Sequence, residues 1–209
     1  DALNDIARSA FIKKQVKDTS TETVNALVKH IRSGNFLPRE YELRIAHGRV
    51  DRVDTFEDGN NIYVKVIDYK SGNKVFNVTE TFLGLQMQLM VYLKDTVDYI
   101  KKNNPDKNVY PAAGLYFHVY DPYVSEIDCE KAVSDFRKKN PDSELSDEEL
   151  KKMAIEKERF KAYRMSGLVA KEIEIVNAMD HNTITKTGSS AILPVNITKS
   201  GVDARSTSH

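Results

Sequence analysis

The chain has 209 residues, with 31 Lys and Arg against 31 Asp and Glu, one cysteine and no tryptophan. That is enough chain for one domain with a core of its own, and the zero formal net charge excludes a global basic field, so any nucleic-acid-binding charge must be local. No apolar run approaches membrane-spanning length, no signal-peptide pattern opens the chain, and the single Cys129 cannot close an internal disulfide, which points to a reducing cytoplasm.

Residues 1–36 read as an N-terminal helical segment. Leu3, Ile6, Ala7, Ala10 and Phe11 recur at helical spacing up to Val16. Thr19-Ser20-Thr21-Glu22 then fits a capping box that opens a second helix, with Val24, Leu27, Val28 and Ile31 on one face and a stop near Gly34. His30, at the end of it, suits a partner of the helix dipole better than a ligand.

The core of the domain is expected over residues 37–125. Tyr41 to Ala46 alternates Glu42 and Arg44 against Leu43 and Ile45, as a strand at a sheet edge does. His47 reads as a turn residue. GRVDRVDTFEDGNNIYVKVIDYK, Gly48 to Lys70, then gives two strand-like runs joined around Asp58-Gly59. On the second run Val64, Val66, Asp68 and Lys70 share one face, and Tyr63, Lys65, Ile67 and Tyr69 share the other. Hairpin pairing brings Asp51 close to Asp68, so two carboxylates and one lysine occupy a small space that a plain core would avoid. A divalent cation between the acids relieves their repulsion. Mg²⁺ takes oxygen ligands and commonly one or two carboxylates plus a phosphate oxygen. With a lysine beside it to orient water and offset charge, the arrangement suits phosphodiester hydrolysis. Asp54, three residues on from Asp51, falls on the opposite face and suits an arginine partner better than a metal. A second D/E-x-K match, Glu149-Leu150-Lys151, lies in a helical run and reads as a solvated face.

From Gly84, GLQMQLMVYLKDTVDYIKKN predicts the longest clear helix, with Leu85, Leu89, Tyr92, Leu93, Thr96 and Ile100 as its core stripe. Gln88 and Tyr92, four apart, share a side. Ala112 to Val119 reads as a strand with Gly114, Tyr116 and His118 on one face, and His118 is taken as a satisfied sheet histidine. Residues 126–165 turn strongly charged and read as a helical insertion or partner-facing arm, with Ser146-Asp147-Glu148-Glu149 as a capping box. Residues 166–197 return to the nuclease domain, as a helix or loop to Asp180 and a late strand over Ile192 to Ile197. Residues 198–209 are expected to be a disordered tail. There is no G-x-x-x-x-G-K-[ST] phosphate loop, so this chain is not the motor of an ATP-driven machine.

GRVDRVD, IDYKSG and GLQMQLMVYL, in this order, resemble the RecB-type branch of the PD-(D/E)XK nucleases. PAAGLYFHVYDP and RMSGLVAKEIEIVNAMD narrow the likeness to the carboxy-terminal nuclease domains of AddB-type subunits of bacterial ATP-dependent helicase–nucleases, from about Pro38 to Ile197. The resemblance implies an α/β, restriction-endonuclease-like fold: a central mixed sheet flanked by helices, here with the charged insertion. It implies Asp51, Asp68, Lys70 and Gln88 as catalytic residues, and Mg²⁺ (or Mn²⁺) held by Asp51, Asp68 and the carbonyl of Tyr69. Gln88 and Tyr92 match the family's Q-h-x-x-Y motif, with Tyr92 and more weakly Gln86 supporting DNA or the site. Family members carry a further motif histidine or glutamate on a helix before the hairpin; no residue matches it, which places it upstream of Asp1 or lost. The implied partners are single-stranded DNA from an unwound duplex and an AddA-like helicase–nuclease subunit. The implied role is exonucleolytic, on the 5′-ended strand, in double-strand-break repair and recombination. An iron–sulfur cluster on four flanking cysteines belongs to the full-length family proteins. Cys129 lies inside the domain and does not match that pattern, so none is expected here. Beginning at Asp1 and ending in a polar run, the chain is read as a fragment. Two other readings compete: a non-catalytic DNA-end or subunit-binding scaffold of the same fold, and a free-standing endonuclease.

Overall fold

The computed structural model describes residues 2–71, 77, 79–80, 87–141, 143–185 and 187–204. The elements run α1 (Ala2–Arg32), β1 (Leu37–Ile45), β2 (Gly48–Asp58), β3 (Asn61–Lys70), α2 (Gln88–Asn103), β4 (Asn108–His118), α3 (Glu126–Lys139), α4 (Asp147–Ala162), β5 (Ser166–Val169) and α5 (Ile173–Met179). A 3₁₀ turn, His181–Thr183, and three short strands, β6 (Gly188–Ser189), β7 (Val195–Thr198) and β8 (Gly201–Ala204), complete the order. The main sheet has the order β1-β2-β3-β4-β5, with β3 and β4 parallel and the other neighbours antiparallel. This is the expected mixed sheet with flanking helices. No helix among the described residues is long and apolar enough to cross a membrane.

The β2–β3 hairpin turns as its residues require. Asp58 pairs with Asn61, leaving Gly59-Asn60 as a two-residue loop one place beyond the expected one, and Gly59 takes φ +55° as a primed turn asks of its first residue. Because β3 and β4 are parallel, the chain must cross over between them, and α2 provides the crossover. Leu89, Leu93, Thr96 and Ile100 of α2 are buried. Leu93 and Ile100 pack with Val50, Val53, Val64 and Val66 on what is here called the front of the sheet. The back carries the larger core, where Phe36, Ile67, Leu115 and Phe117 meet Tyr163, Met165, Val176, Met179 and Leu193. The alternation predicted for β3 therefore holds residue by residue. Tyr92 of the predicted stripe is only half-buried, while Gly84 and Leu85 lie outside the described residues.

Several boundaries differ from the sequence reading. The N-terminal segment is one helix of 31 residues rather than two. Neither glycine nor proline separates the halves, and Thr19 to Glu22, read as a capping box, continue the helix, the Thr21 hydroxyl donating to the Lys17 carbonyl at 2.9 Å within it. β4 begins four residues before the predicted Ala112, because a shift in its pairing with β3 at Val64/Lys65 accommodates Pro111. Ser166–Val169, read as helix or loop, is the fifth strand of the main sheet, only four residues long and paired to β4. Gly201–Ala204, read as tail, pairs with β7. The capping box at Ser146 forms with both of its bonds, and α4 ends at Ala162 rather than near Met165.

Candidate active site

The site lies where β2 begins and β3 and β4 end, beside the start of α2. The β2–β3 ladder ends at the Arg52–Ile67 pair, and Asp51 and Asp68 are the next residues on the two strands. There the Asp51 carboxylate accepts the backbone N–H of Tyr69 at 2.8 Å. Val50 and Val53, three apart, both pack in the front core, so the regular pleat is interrupted where Asp51 leans toward β3. Asp68 is buried, and its carboxylate pairs with the Lys70 ammonium at 2.5 Å. Lys70 keeps 23% of its side chain exposed. It also donates to the Gln88 side-chain oxygen at 3.4 Å, and the Gln88 amide donates to the Tyr92 hydroxyl at 2.9 Å. Gln88 and Tyr92 sit one helical turn apart on α2, as their spacing predicts.

Gly48 completes this arrangement. A Cβ at this position would stand 2.9 Å from the Tyr92 hydroxyl, and φ is +149°, so a side chain here would be strained and would push Tyr92 away. The absence of a side chain on β2 is what lets α2 bring the Gln88–Tyr92 pair down beside Lys70.

Two residues on β4 join the site that sequence reasoning did not assign to it. Tyr116 pairs in register with Asp68, and its ring lies 5.2 Å from the Lys70 ammonium. Burial, then the Asp68 and Tyr92 neighbours, push its phenol above the ordinary tyrosine range. His118, read as a plain sheet histidine, pairs in register with Lys70 at the half-buried end of the strand. Alternation already put Tyr116 and His118 on one face. The missing signal was the parallel register that sets this face beside Asp68 and Lys70.

Of the predicted residues, Asp51, Asp68, Lys70, Gln88 and Tyr92 therefore come together. The Tyr69 ring turns to the back of the sheet, edge-on to Phe117, while its peptide stays between the two acids. Gln86 lies outside the described residues. His30 is not at the helix surface with the dipole, as expected, but buried between the Phe117 and Phe160 rings at 5.5 and 5.3 Å. Desolvation, then Lys65 and Arg52, push it down to about 3, so it is neutral. Asp54 takes arginine as expected, in a bidentate pair with Arg52 (2.6 Å for each bond), and adds Lys65 at 2.9 Å.

Among the described residues no group of three or more histidine, cysteine or acidic side chains is placed to hold a metal ion. The donors at hand are two carboxylates and the adjoining backbone carbonyl, all oxygen, a set that fits a hard divalent cation retaining several waters. A carboxylate offers about four acceptor directions, so neither the Lys70 pair nor the Tyr69 bond precludes a cation. A separate cavity of about 570 Å³, lined by Asp121, Tyr123, Cys129, Lys151 and Arg159 among others, shares no residue with this site.

The PD-(D/E)XK nuclease superfamily matches the chain over residues 2–183. The chain is 32% identical over 227 residues to the B-type subunit of the ATP-dependent helicase/deoxyribonuclease of Clostridioides difficile (strain 630), covering 99% of this chain and 18% of that protein. It is 31% identical over 225 residues to the protein of the same name from Thermoanaerobacter sp. (strain X514), covering 98% and 17%. A solved repair endonuclease from Pyrococcus abyssi matches 58% of this chain and 43% of its own, at 20% identity and a TM-score of 0.28, a superposition too loose to build on. The chain spans less than a fifth of the length of these two curated relatives.

Proposed function

The chain belongs to the PD-(D/E)XK nuclease superfamily, and from that premise we propose that it is the metal-dependent deoxyribonuclease domain of a bacterial helicase–nuclease subunit. The observation that carries this reading is the placement of Lys70. Its ammonium is held by Asp68 and Gln88 over the Tyr116 ring, next to a second acid, Asp51, on the neighbouring strand. A surface ion pair needs no such cradle.

Asp51, Asp68 and the Tyr69 carbonyl would hold Mg²⁺ or Mn²⁺, which when bound polarises a phosphoryl oxygen and acidifies a water. Lys70 orients the attacking water and offsets the negative charge that grows on the phosphoryl oxygens as the phosphorus–oxygen bond breaks. Gln88 fixes the lysine, and Tyr92 fixes Gln88. The substrate would be DNA, the 5′-ended strand of an unwound duplex, degraded exonucleolytically. An AddA-like helicase–nuclease would be the partner, in cytoplasmic repair of double-strand breaks. The relatives' names, as B subunits of an ATP-dependent helicase/deoxyribonuclease, support a place in a helicase–nuclease assembly. Within residues 126–165, whose end closes on the back core through Tyr163 and Met165, the α3–α4 hairpin with the acidic first turn of α4 suits a partner-facing arm better than a DNA path.

The test is cleavage of labelled single-stranded DNA by this chain with Mg²⁺, with chelator, and with Asp68→Ala. The expected outcome is metal-dependent cleavage that falls by roughly 10³-fold or more in the variant, several kcal/mol of lost transition-state stabilisation. Equal cleavage by Asp68→Ala would refute the assignment. Binding without cleavage in any condition would favour the scaffold.

A further inference from the structure

Behind the site, on the back of β2 and β3, Arg52, Asp54 and Lys65 form a buried ion cluster with side-chain exposures of 3%, 0% and 6%. Arg52 grips both oxygens of Asp54, Lys65 stands directly opposite Asp54 in the ladder, and the Phe36 ring lies 5.1 Å from the Lys65 ammonium. Such clusters are poor sources of stability, because removing the charges from water offsets most of their attraction, and apolar replacements are commonly as stable or more so. What a buried ion pair supplies is discrimination between arrangements that an apolar core would accept alike.

We propose that this cluster is a register lock and positioning device for the acids on the opposite face. Neighbouring pairs of the ladder, Val53 with Val66, Thr55 with Val64 and Phe56 with Tyr63, are permissive. A slip of two residues would keep every side chain on its own face, and in one direction it would set Val53 against Val64 and Thr55 against Ile62, pairs as acceptable as the native ones. The same slip would set Asp54 against Tyr63 or Ile67, leaving buried charge unpaired. It would also carry Asp51 from Asp68 to Val66 or Lys70. The turn at Gly59 fixes the register only at its own end, and the pairing on either side of the hairpin does shift, at Pro38/Glu40 and at Val64/Lys65. The cluster sits between that turn and the acids.

A second contact ties it to the site. Arg52 follows Asp51 in sequence, and its remaining nitrogen reaches the Tyr69 hydroxyl at 3.5 Å, while the Tyr69 N–H goes to Asp51. Tyr69 is thus held from both faces of the sheet by consecutive residues of β2. Arg52, Asp54 and Lys65 are positioning residues that act through β2 and Tyr69.

The inference rests on the metal-dependent reading of Asp51 and Asp68, and its test separates the two. The variant carries Arg52→Met, Asp54→Leu and Lys65→Met together. Amide hydrogen exchange at Tyr69 in metal-free protein reports the Asp51 bond, and calorimetry with Mn²⁺ reports the acids. The expected result is a thermal midpoint at or above wild type, Tyr69 exchange about tenfold faster, and Mn²⁺ affinity lower by about tenfold or more, with kcat falling and KM for DNA little changed. Wild-type exchange at Tyr69 together with wild-type Mn²⁺ affinity overturns the proposal. If the triple variant does not fold, Arg52→Lys, which keeps the charge and loses the fork, is read by the same two measurements. Faster Tyr69 exchange in a protein whose wild type binds no Mn²⁺ would sustain the lock and refute the metal reading.

Discussion

β2 and β3 carry a charge cluster on each face, and the two mirror each other. The front sets two carboxylates, Asp51 and Asp68, beside one lysine; the back sets one carboxylate, Asp54, between Arg52 and Lys65. The back is closed. Its carboxylate is fully buried, its lysine meets an aromatic ring, and His30 beside it is held neutral. The front is half-open, with Lys70 partly exposed and Asp51 half-buried, and its surplus is negative. The same two strands thus carry a cluster on one face where charge is sealed in and, in the proposed reading, a cluster on the other whose surplus charge would meet a cation. Access and the sign of the surplus distinguish them, not the number of charged residues.

The largest expected effect breaks the back. Asp54→Ala leaves Arg52 and Lys65 buried without a counter-charge, a loss of about 3–5 kcal/mol. Chemical denaturation should show it as a large drop in midpoint, and a variant as stable as wild type would mean that the cluster is not sealed.

Breaking the front should cost activity instead. Lys70→Ala is expected to lower kcat by about 10²–10³-fold, roughly 2.7–4 kcal/mol, with Mn²⁺ affinity and thermal midpoint near wild type. Unchanged turnover at saturating Mg²⁺ would remove Lys70 from the chemistry.

A smaller effect sharpens the comparison through pH. His30 titrates near 6.5 when unfolded and about 3 when folded, so the unfolded chain binds its proton more readily between those values. Its contribution to stability is complete above pH 6.5 and declines on acidification toward pH 3, by up to about 1.4 kcal/mol per pH unit. Urea melts at pH 7 and pH 5 should show a smaller difference for His30→Gln than for wild type. An equal difference would place His30 in water.

The sequence made the front legible because its residues sit in regular elements. Alternation along β3 separates Val66, Asp68 and Lys70 from Lys65, Ile67 and Tyr69, and the i, i+4 step on α2 joins Gln88 to Tyr92. What it withheld depended on partners far away in the chain. Tyr116 and His118 enter the site through the parallel register of β4 on β3, which no local pattern encodes. Ser166–Val169 is too short to show a period and becomes a strand because β4 offers it an edge. His30 follows the same logic: its place at a helix end suggests a dipole partner, and only tertiary packing against Phe117 and Phe160 makes it a buried neutral ring. The single helix over Ala2–Arg32 shows the converse, a local capping signal overridden because nothing in the chain interrupts the helix.

The most direct test of the front as a cation site is a calorimetric titration of Mn²⁺ into wild type, Asp51→Asn and Asp68→Asn, each checked for an intact thermal transition. Both acids contribute oxygen ligands to one ion in this account, so wild type should bind at one site. Either substitution should weaken that binding by about 100-fold or more. Undiminished Mn²⁺ binding in both folded variants, or none in wild type, would contradict it.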